Sequence, residues 1–152
     1  MKTLTQSEQA TLKEAAAIML RVIVNQPNIF NSYETVRDYL AVKLGVADRE
    51  VFGVLYLDSK NALIKDEVLF MGTTTFCAVL PREVMRQALL NNAVSIILYH
   101  NHPSGNCEPS DTDRNMTREL VRKLKEIDIN LIDHIIVAGL KTYSFDEKGL
   151  LK

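Results

Sequence analysis

The apolar run Val94-Ser95-Ile96-Ile97-Leu98-Tyr99 leads straight into His100-Asn101-His102-Pro103-Ser104-Gly105 and then Ser110-Asp111-Thr112-Asp113. The run predicts a buried strand. With the chain extended for two more residues, the period of two points His100 and His102, two of only three histidines, to the same side. Pro103 and Gly105 break the strand into a loop. Ser110 opens a helical pattern in which Met116, Leu120, Leu124 and Ile127 recur on one face, so Asp113 falls in the first turn, directed back toward the loop. Two neutral imidazoles and a carboxylate form a ligand set for one zinc ion, with the fourth tetrahedral position free for water, as in catalytic rather than structural zinc sites. Ser110 to Asp113 alone reads as an ordinary helix cap, and His-x-His at a strand end is weak by itself. A cap does not account for two histidines, a rigid Pro-Ser-Gly turn and an acid that returns the chain to them.

His100-Asn101-His102-Pro103, six residues, then Ser110-Asp111-Thr112-Asp113 matches the JAMM signature of the JAB/MPN metalloprotease domains, His-x-His-Pro-x6-Ser-x-x-Asp. The Asn-His-Pro-Ser-Gly version resembles, more narrowly, the bacterial RadC-like family. Val51-Phe52-Gly53-Val54-Leu55-Tyr56-Leu57-Asp58, Pro81-Arg82-Glu83-Val84 and Leu131-Ile132-Asp133-His134-Ile135-Ile136-Val137 also look like that family, and the similarity covers about residues 32 to 151. The resemblance implies a cytidine-deaminase-like α/β/α fold. It also implies that Glu50, which precedes the Val51 strand, holds the nucleophilic water, and that Ser110 helps hold the oxyanion formed when water adds to a carbonyl. From the residues alone, Glu50 reads equally as a solvated acid at a strand start, with Glu67 and Glu83 as competing carboxylates. Longer RadC proteins carry an N-terminal helical region of helix-hairpin-helix character, which this chain is too short to contain in full.

At 152 residues and 47% hydrophobic content, the chain suits one domain with a real core. The expected division is an N-terminal helix and connection over residues 1–31 and a RadC-like JAB/MPN domain over 32–152. Eighteen basic against nineteen acidic residues give a net charge of −1, so no global footprint for nucleic acid or anionic membrane exists. Arg114, Arg118, Arg122, Lys123 and Lys125 make the best local basic patch, but Glu119 and Glu126 are interleaved with them, as on a solvated helix face. Cys77 and Cys107 are too few for a disulfide framework, and nothing at the start resembles a signal peptide, so a cytoplasmic protein is expected. No apolar run approaches the ~20 residues needed to span a bilayer. Cys107 lies inside the candidate metal loop and reads as a passive thiol, because the two histidines and Asp113 already make a complete set.

Thr5-Gln6-Ser7-Glu8 has the form of a capping box, and Leu12, Ala15, Ala16, Met19, Val22 and Ile23 form a helical stripe that ends before Pro27. A second helix starts at Ser32 with Tyr33, Val36 and Leu40 on one face, and Gly45 suits its stop. Val51 to Leu57 is a strand covered on both faces, turned at Asp58-Ser59-Lys60-Asn61 into a second run ending near Phe70. Thr73 to Leu80 is β-rich, Pro81 opens a helix with Val84, Met85, Ala88 and Leu89 on one face, and Leu131 to Ala138 is a further strand. Thr142 to Phe145 adds a short edge. Strand, helix and strand in alternation predict a three-layer α/β/α arrangement around a mixed sheet.

The chemistry these residues predict is hydrolysis of an amide, as a peptidase or isopeptidase acting on a peptide or protein. Two other classes compete with it: a metal-dependent nuclease, and a non-catalytic interaction module that keeps its zinc for stability. In nucleases named for His-Asn-His the letters are spread over a ββα unit, and the neutral charge here gives little phosphate affinity. Deamination requires a His-x-Glu and Pro-Cys-x-x-Cys pair that this sequence lacks. Asn101 and Ser104 read as loop-orienting or substrate-touching residues, with turn stabilisation at least as natural. His134, in the middle of an apolar strand, reads as a core histidine rather than a ligand.

Overall fold

The computed structural model describes residues 4–24, 32–45, 47–72 and 79–152. Their elements are α1 (Gln6–Val24), α2 (Tyr33–Leu44), β1 (Val51–Leu57), β2 (Leu63–Met71), α3 (Pro81–Leu90), β3 (Ser95–Asn101), α4 (Asp111–Lys125), β4 (Asn130–Ala138) and β5 (Lys141–Ser144). The strands form one mixed sheet in the order β2-β1-β3-β4-β5. Only β3 and β4 are parallel neighbours, and α4 is the crossover between them.

Local chemistry sets the ends of these elements. Thr5 and Glu8 form the expected capping box of α1: the Thr5 N–H donates to the Glu8 carboxylate at 2.7 Å and the Glu8 N–H to Thr5 Oγ1 at 3.3 Å. The β1–β2 turn is closed by Asp58, whose Oδ1 accepts from the N–H groups of Lys60 and Ala62 at 2.8 and 2.9 Å. Pro81 occupies the first turn of α3, where its missing N–H costs nothing. Gly45 follows α2 as anticipated, yet its φ of −59° is right-handed. The need for glycine there is steric, since an added Cβ would lie 2.6 Å from the Gly139 carbonyl oxygen in the β4–β5 turn.

All seven residues of β1 and all seven of β3 are buried, which requires cover on both faces of the sheet. On one face Val36, Tyr39, Leu40 and Leu44 of α2 pack on Leu55, Ile97, Tyr99 and Val137, with Met19 and Leu20 of α1 behind them. On the other, Val84 and Ala88 of α3 and Leu120 and Leu124 of α4 cover Phe52, Val54, Ile96 and Leu98. The result is the expected three-layer α/β/α arrangement, consistent with a JAB/MPN fold. The alternation Ile96, Leu98, His100 puts His100 on the α3/α4 face and Asn101 on the opposite one.

The boundary expected between residues 31 and 32, the β-rich segment from Thr73 to Leu80 and Cys77 lie partly or wholly outside the described residues. Among the described residues no helix is long and apolar enough to cross a membrane.

Candidate metal centre

The backbone stays extended one residue beyond β3, because the His102 N–H donates to the Val137 carbonyl of β4 at 2.8 Å. That extension brings the two imidazoles together as the period of two requires: His100 Nε2 lies 2.9 Å from His102 Nε2. Gly105 then adopts a φ of +84°, a conformation glycine enters at no steric cost, and its N–H closes a turn onto the His102 carbonyl at 3.1 Å. The loop returns to fix the His102 ring, whose Nδ1 donates to the Asn106 carbonyl at 2.8 Å. A carbonyl only accepts, so the neutral His102 ring carries its lone pair on Nε2, the atom that faces His100.

Ser110 caps α4 and shapes the third member of the set. Its Oγ accepts from the Asp113 N–H at 3.1 Å, while Asp113 Oδ2 accepts from the Ser110 N–H at 2.8 Å and from the Ser110 hydroxyl at 2.6 Å. The carboxylate so held lies 3.4 Å from His100 Nε2 through Oδ1 and 3.5 Å from His102 Nε2 through Oδ2. The capping and site-facing readings of Ser110-x-x-Asp113 are therefore the same structure. In this arrangement the Ser110 hydroxyl hydrogen is engaged with Asp113, and an oxyanion role requires that bond to open.

Glu50 arrives from the residue just before β1. Phe52 pairs with His100 across the antiparallel β1–β3 ladder, and continuing that register sets Glu50 beside His102. One carboxylate oxygen of Glu50 and one nitrogen each of His100 and His102 lie within 4.8 Å of one another, a group that could hold a metal ion. Asp113 stands at its side. Two imidazole nitrogens and two carboxylates suit a divalent cation of the kind that accepts both ligand types. The rival carboxylates are engaged elsewhere: Glu67 with Lys65 at 2.7 Å and the Tyr56 hydroxyl at 3.3 Å, Glu83 with Arg86 at 2.8 Å and Gln87 at 3.1 Å.

The electrostatics separate the two carboxylates that do meet the histidines. Burial pushes the Glu50 carboxyl up from its ordinary range; the histidines oppose that rise and Asp113 reinforces it. Burial acts the same way on Asp113, but contacts with His100 and His102 and the Ser110 hydroxyl outweigh it and hold that carboxyl well below the usual range. Asp113 is thus favoured as the anion, whereas the Glu50 carboxyl has a raised proton affinity. The Asp113 carboxylate beside His102 favours the protonated ring and so raises its pKa against the effect of burial.

Two features of the centre escape sequence reasoning. Asn101 belongs to neither the loop nor a substrate surface: its Oδ1 accepts from the Val51 N–H at 2.8 Å and its Nδ2 donates to the Arg49 carbonyl at 2.9 Å, clamping the backbone on both sides of Glu50. The Gly72 N–H, donating at 2.8 Å to the Glu50 carbonyl, adds a third tie. His134 is a core histidine as expected and lies outside the ligand group, yet its Nε2 is 2.8 Å from His100 Nδ1. A histidine placed in an apolar strand was the available signal, but its partner could not be read from local pattern. Ser104 is exposed, Cys107 is half-buried beside Ile136, Tyr143 and Phe145, and on the basic helix face Lys123 pairs with Glu119 at 2.7 Å.

Comparison with known proteins identifies relatives of this chain. The family profile of the RadC-like JAB domain matches residues 30–150. The chain is 53% identical over 123 residues to the UPF0758 protein PSHAa2643 of Pseudoalteromonas translucida, covering 81% of this chain and 55% of that protein. It is 43% identical over 143 residues to the UPF0758 protein YfjY of Escherichia coli, covering 94% of this chain and 89% of that one. Against a UPF0758 protein of Cupriavidus pinatubonensis the identity is 48% over 139 residues, covering 91% of this chain and 61% of the relative, so the chain spans little more than half of some of its curated relatives. With the profile matched across most of its length, the chain belongs to the RadC-like JAB domain family.

Proposed function

We propose that this chain is a zinc-dependent hydrolase of amide bonds, a peptidase or isopeptidase acting on a peptide or protein in the cytoplasm. The observation that carries the reading is the convergence of His100, His102 and two carboxylates of opposite proton affinity, Glu50 raised and Asp113 depressed. In this reading His100, His102 and Asp113 hold one zinc ion. When bound, zinc supplies Lewis acidity toward a water and a substrate carbonyl.

The residues divide the remaining work. Glu50 takes a proton from the attacking water and returns it to the departing amine, a transfer for which a raised carboxyl is suited. Asp113 is already an anion and serves as a ligand rather than a base. Ser110 orients Asp113 and, if its hydroxyl turns outward, donates to oxygen as charge develops there. The basic side chains Arg114, Arg118, Arg122, Lys123 and Lys125 of α4 do not amount to a phosphate-tracking surface, because Glu119 and Glu126 are interleaved with them and the net charge is −1.

The test is a zinc-loaded preparation assayed on peptide and isopeptide libraries beside a nuclease assay, with Glu50→Gln as the diagnostic variant. Glu50→Gln should keep its zinc while amide hydrolysis falls by about 10²–10⁴. Loss of zinc in that variant makes Glu50 a ligand rather than a base. Wild-type turnover in it removes Glu50 from the mechanism. His102-dependent cutting of DNA with no amide cleaved replaces the peptidase reading with a nuclease.

A further inference from the structure

Thr117 and His134 lie behind His100, outside the ligand group, and both are fully buried. Thr117 Oγ1 donates to the Asp113 backbone carbonyl at 2.6 Å, one helical turn back. A hydroxyl has a single hydrogen and a carbonyl can only accept, so that hydrogen is committed. The other contact of the same oxygen, 2.6 Å to His134 Nδ1, must then run in the opposite sense, with the ring N–H donating. A neutral imidazole protonated at Nδ1 carries its lone pair on Nε2. His134 Nε2 lies 2.8 Å from His100 Nδ1 and therefore accepts from it. What remains on His100 is an Nε2 lone pair, at the atom 2.9 Å from His102 and 3.4 Å from Asp113.

We propose that the Asp113 carbonyl, Thr117 and His134 form a hydrogen-bonded relay that fixes His100 in its Nδ1–H tautomer and so presents Nε2 as a metal-ligating lone pair. His134 and Thr117 are positioning residues. The consequence for metal rests on the reading in the preceding subsection, but the tautomer itself rests only on the hydrogen-bond geometry. Asp113 takes part twice, offering its carboxylate to the ligand cluster and its carbonyl to the relay, so the first turn of α4 sets both. Packing holds the relay ring in plane: His134 stacks on Phe145 with centroids 4.8 Å apart and meets the edge of Phe52 at 5.9 Å. His102 reaches the same protonation pattern by a separate route, through the Asn106 carbonyl. Both rings are thereby locked with their Nε2 atoms converging, each by a backbone carbonyl that cannot reverse its role.

The experiment is a long-range proton–nitrogen correlation spectrum of the 15N-histidine-labelled full chain at about pH 8, where free imidazoles are neutral, together with zinc affinity measured by chelator competition. With three histidines the ring signals are assignable by single substitution. Metal-free wild type should show His100 and His134 protonated at Nδ1 and bare at Nε2. Thr117→Val keeps the shape and removes the hydroxyl, so the His100 tautomer should become mixed and zinc affinity should fall by about 10–100-fold. Thr117→Ser should restore both. His134→Phe, which keeps the ring packing and removes both polar contacts, should lose at least as much affinity. An Nε2–H tautomer of His100 in the wild type overturns the relay, as does a Thr117→Val protein with unchanged tautomer and unchanged affinity. A wild type that shows the Nδ1–H tautomer and takes up no zinc upholds the relay as a tautomer lock and defeats the metal reading instead.

Discussion

Asn101 holds Glu50 in place without touching its side chain: the amide bonds the Arg49 carbonyl at 2.9 Å on one side of Glu50 and the Val51 N–H at 2.8 Å on the other. The residue between the two histidines therefore ties the histidine strand to the start of the glutamate strand. Asn101→Ala leaves the buried Val51 N–H without a partner, which costs about 1–3 kcal/mol, and removes the part-buried bond to the Arg49 carbonyl as well. Urea unfolding should report that loss. Because the clamp acts on Glu50 and not on the histidines, amide hydrolysis should fall while zinc affinity stays within a few-fold of wild type. An unchanged turnover number in folded Asn101→Ala contradicts the positioning role.

His100→Ala or His102→Ala should remove most of the bound zinc and leave the fold intact, since the sheet packs through its own apolar faces. Metal analysis beside circular dichroism checks both parts, and full occupancy in His100→Ala defeats the ligand assignment. Affinity should also depend on pH in a definite direction. A protonated imidazole cannot bind metal, and the His102 pKa is raised above 6.5 by its contact with Asp113. Protons therefore compete from above the ordinary histidine value, and zinc affinity should decline as pH falls, by up to about tenfold per unit for each proton displaced. Asp113, held far below the ordinary carboxyl range, stays ionised and adds nothing to this slope.

Alkali should unfold the chain through its tyrosines. Tyr39 and Tyr99 hydrogen-bond Asp66 and Tyr56 hydrogen-bonds Glu67, and burial together with these carboxylates pushes all three phenols far above 10. A raised folded-state value gives stability that is complete below the unfolded value of ~10 and is lost as pH rises beyond it. Each phenol contributes up to about 1.4 kcal/mol per pH unit above that point. Phenolate absorbance should accordingly appear together with unfolding rather than before it. Smooth titration of all the tyrosines in the folded protein contradicts this expectation.

Gly53→Ala should destabilise strongly for a reason specific to its neighbour on β3. An added Cβ would lie 2.2 Å from the Tyr99 ring, and that ring is pinned by hydrogen bonds from its hydroxyl to Asp66 at 2.6 Å and from Lys43 at 2.8 Å. With the ring unable to retreat, the cost should reach or exceed the ~1–3 kcal/mol usual for overpacking. The double variant Gly53→Ala/Tyr99→Leu should recover part of it, and equal urea midpoints for Gly53→Ala and wild type show that the ring can move.

What depends on neighbours along the chain was legible before the fold. The period of two sets His100 and His102 on one side of a strand, and the cap at Ser110 sends Asp113 back toward them. The apolar runs of β1 and β3 already required cover on both faces. These features arise within a few residues, where backbone geometry alone fixes the relation between side chains. Strand register and helix packing supply the rest. Glu50 meets the histidines through the register of β1 against β3, and Asn101 holds it across a separation of 50 residues. Gly45 is needed because the β4–β5 turn passes over it, and His134 acquires its role only where β4 lies beside β3 and α4 sets Thr117 above it. A buried donor or acceptor must find some partner, but which one it finds depends on strand register and helix placement that no local pattern encodes.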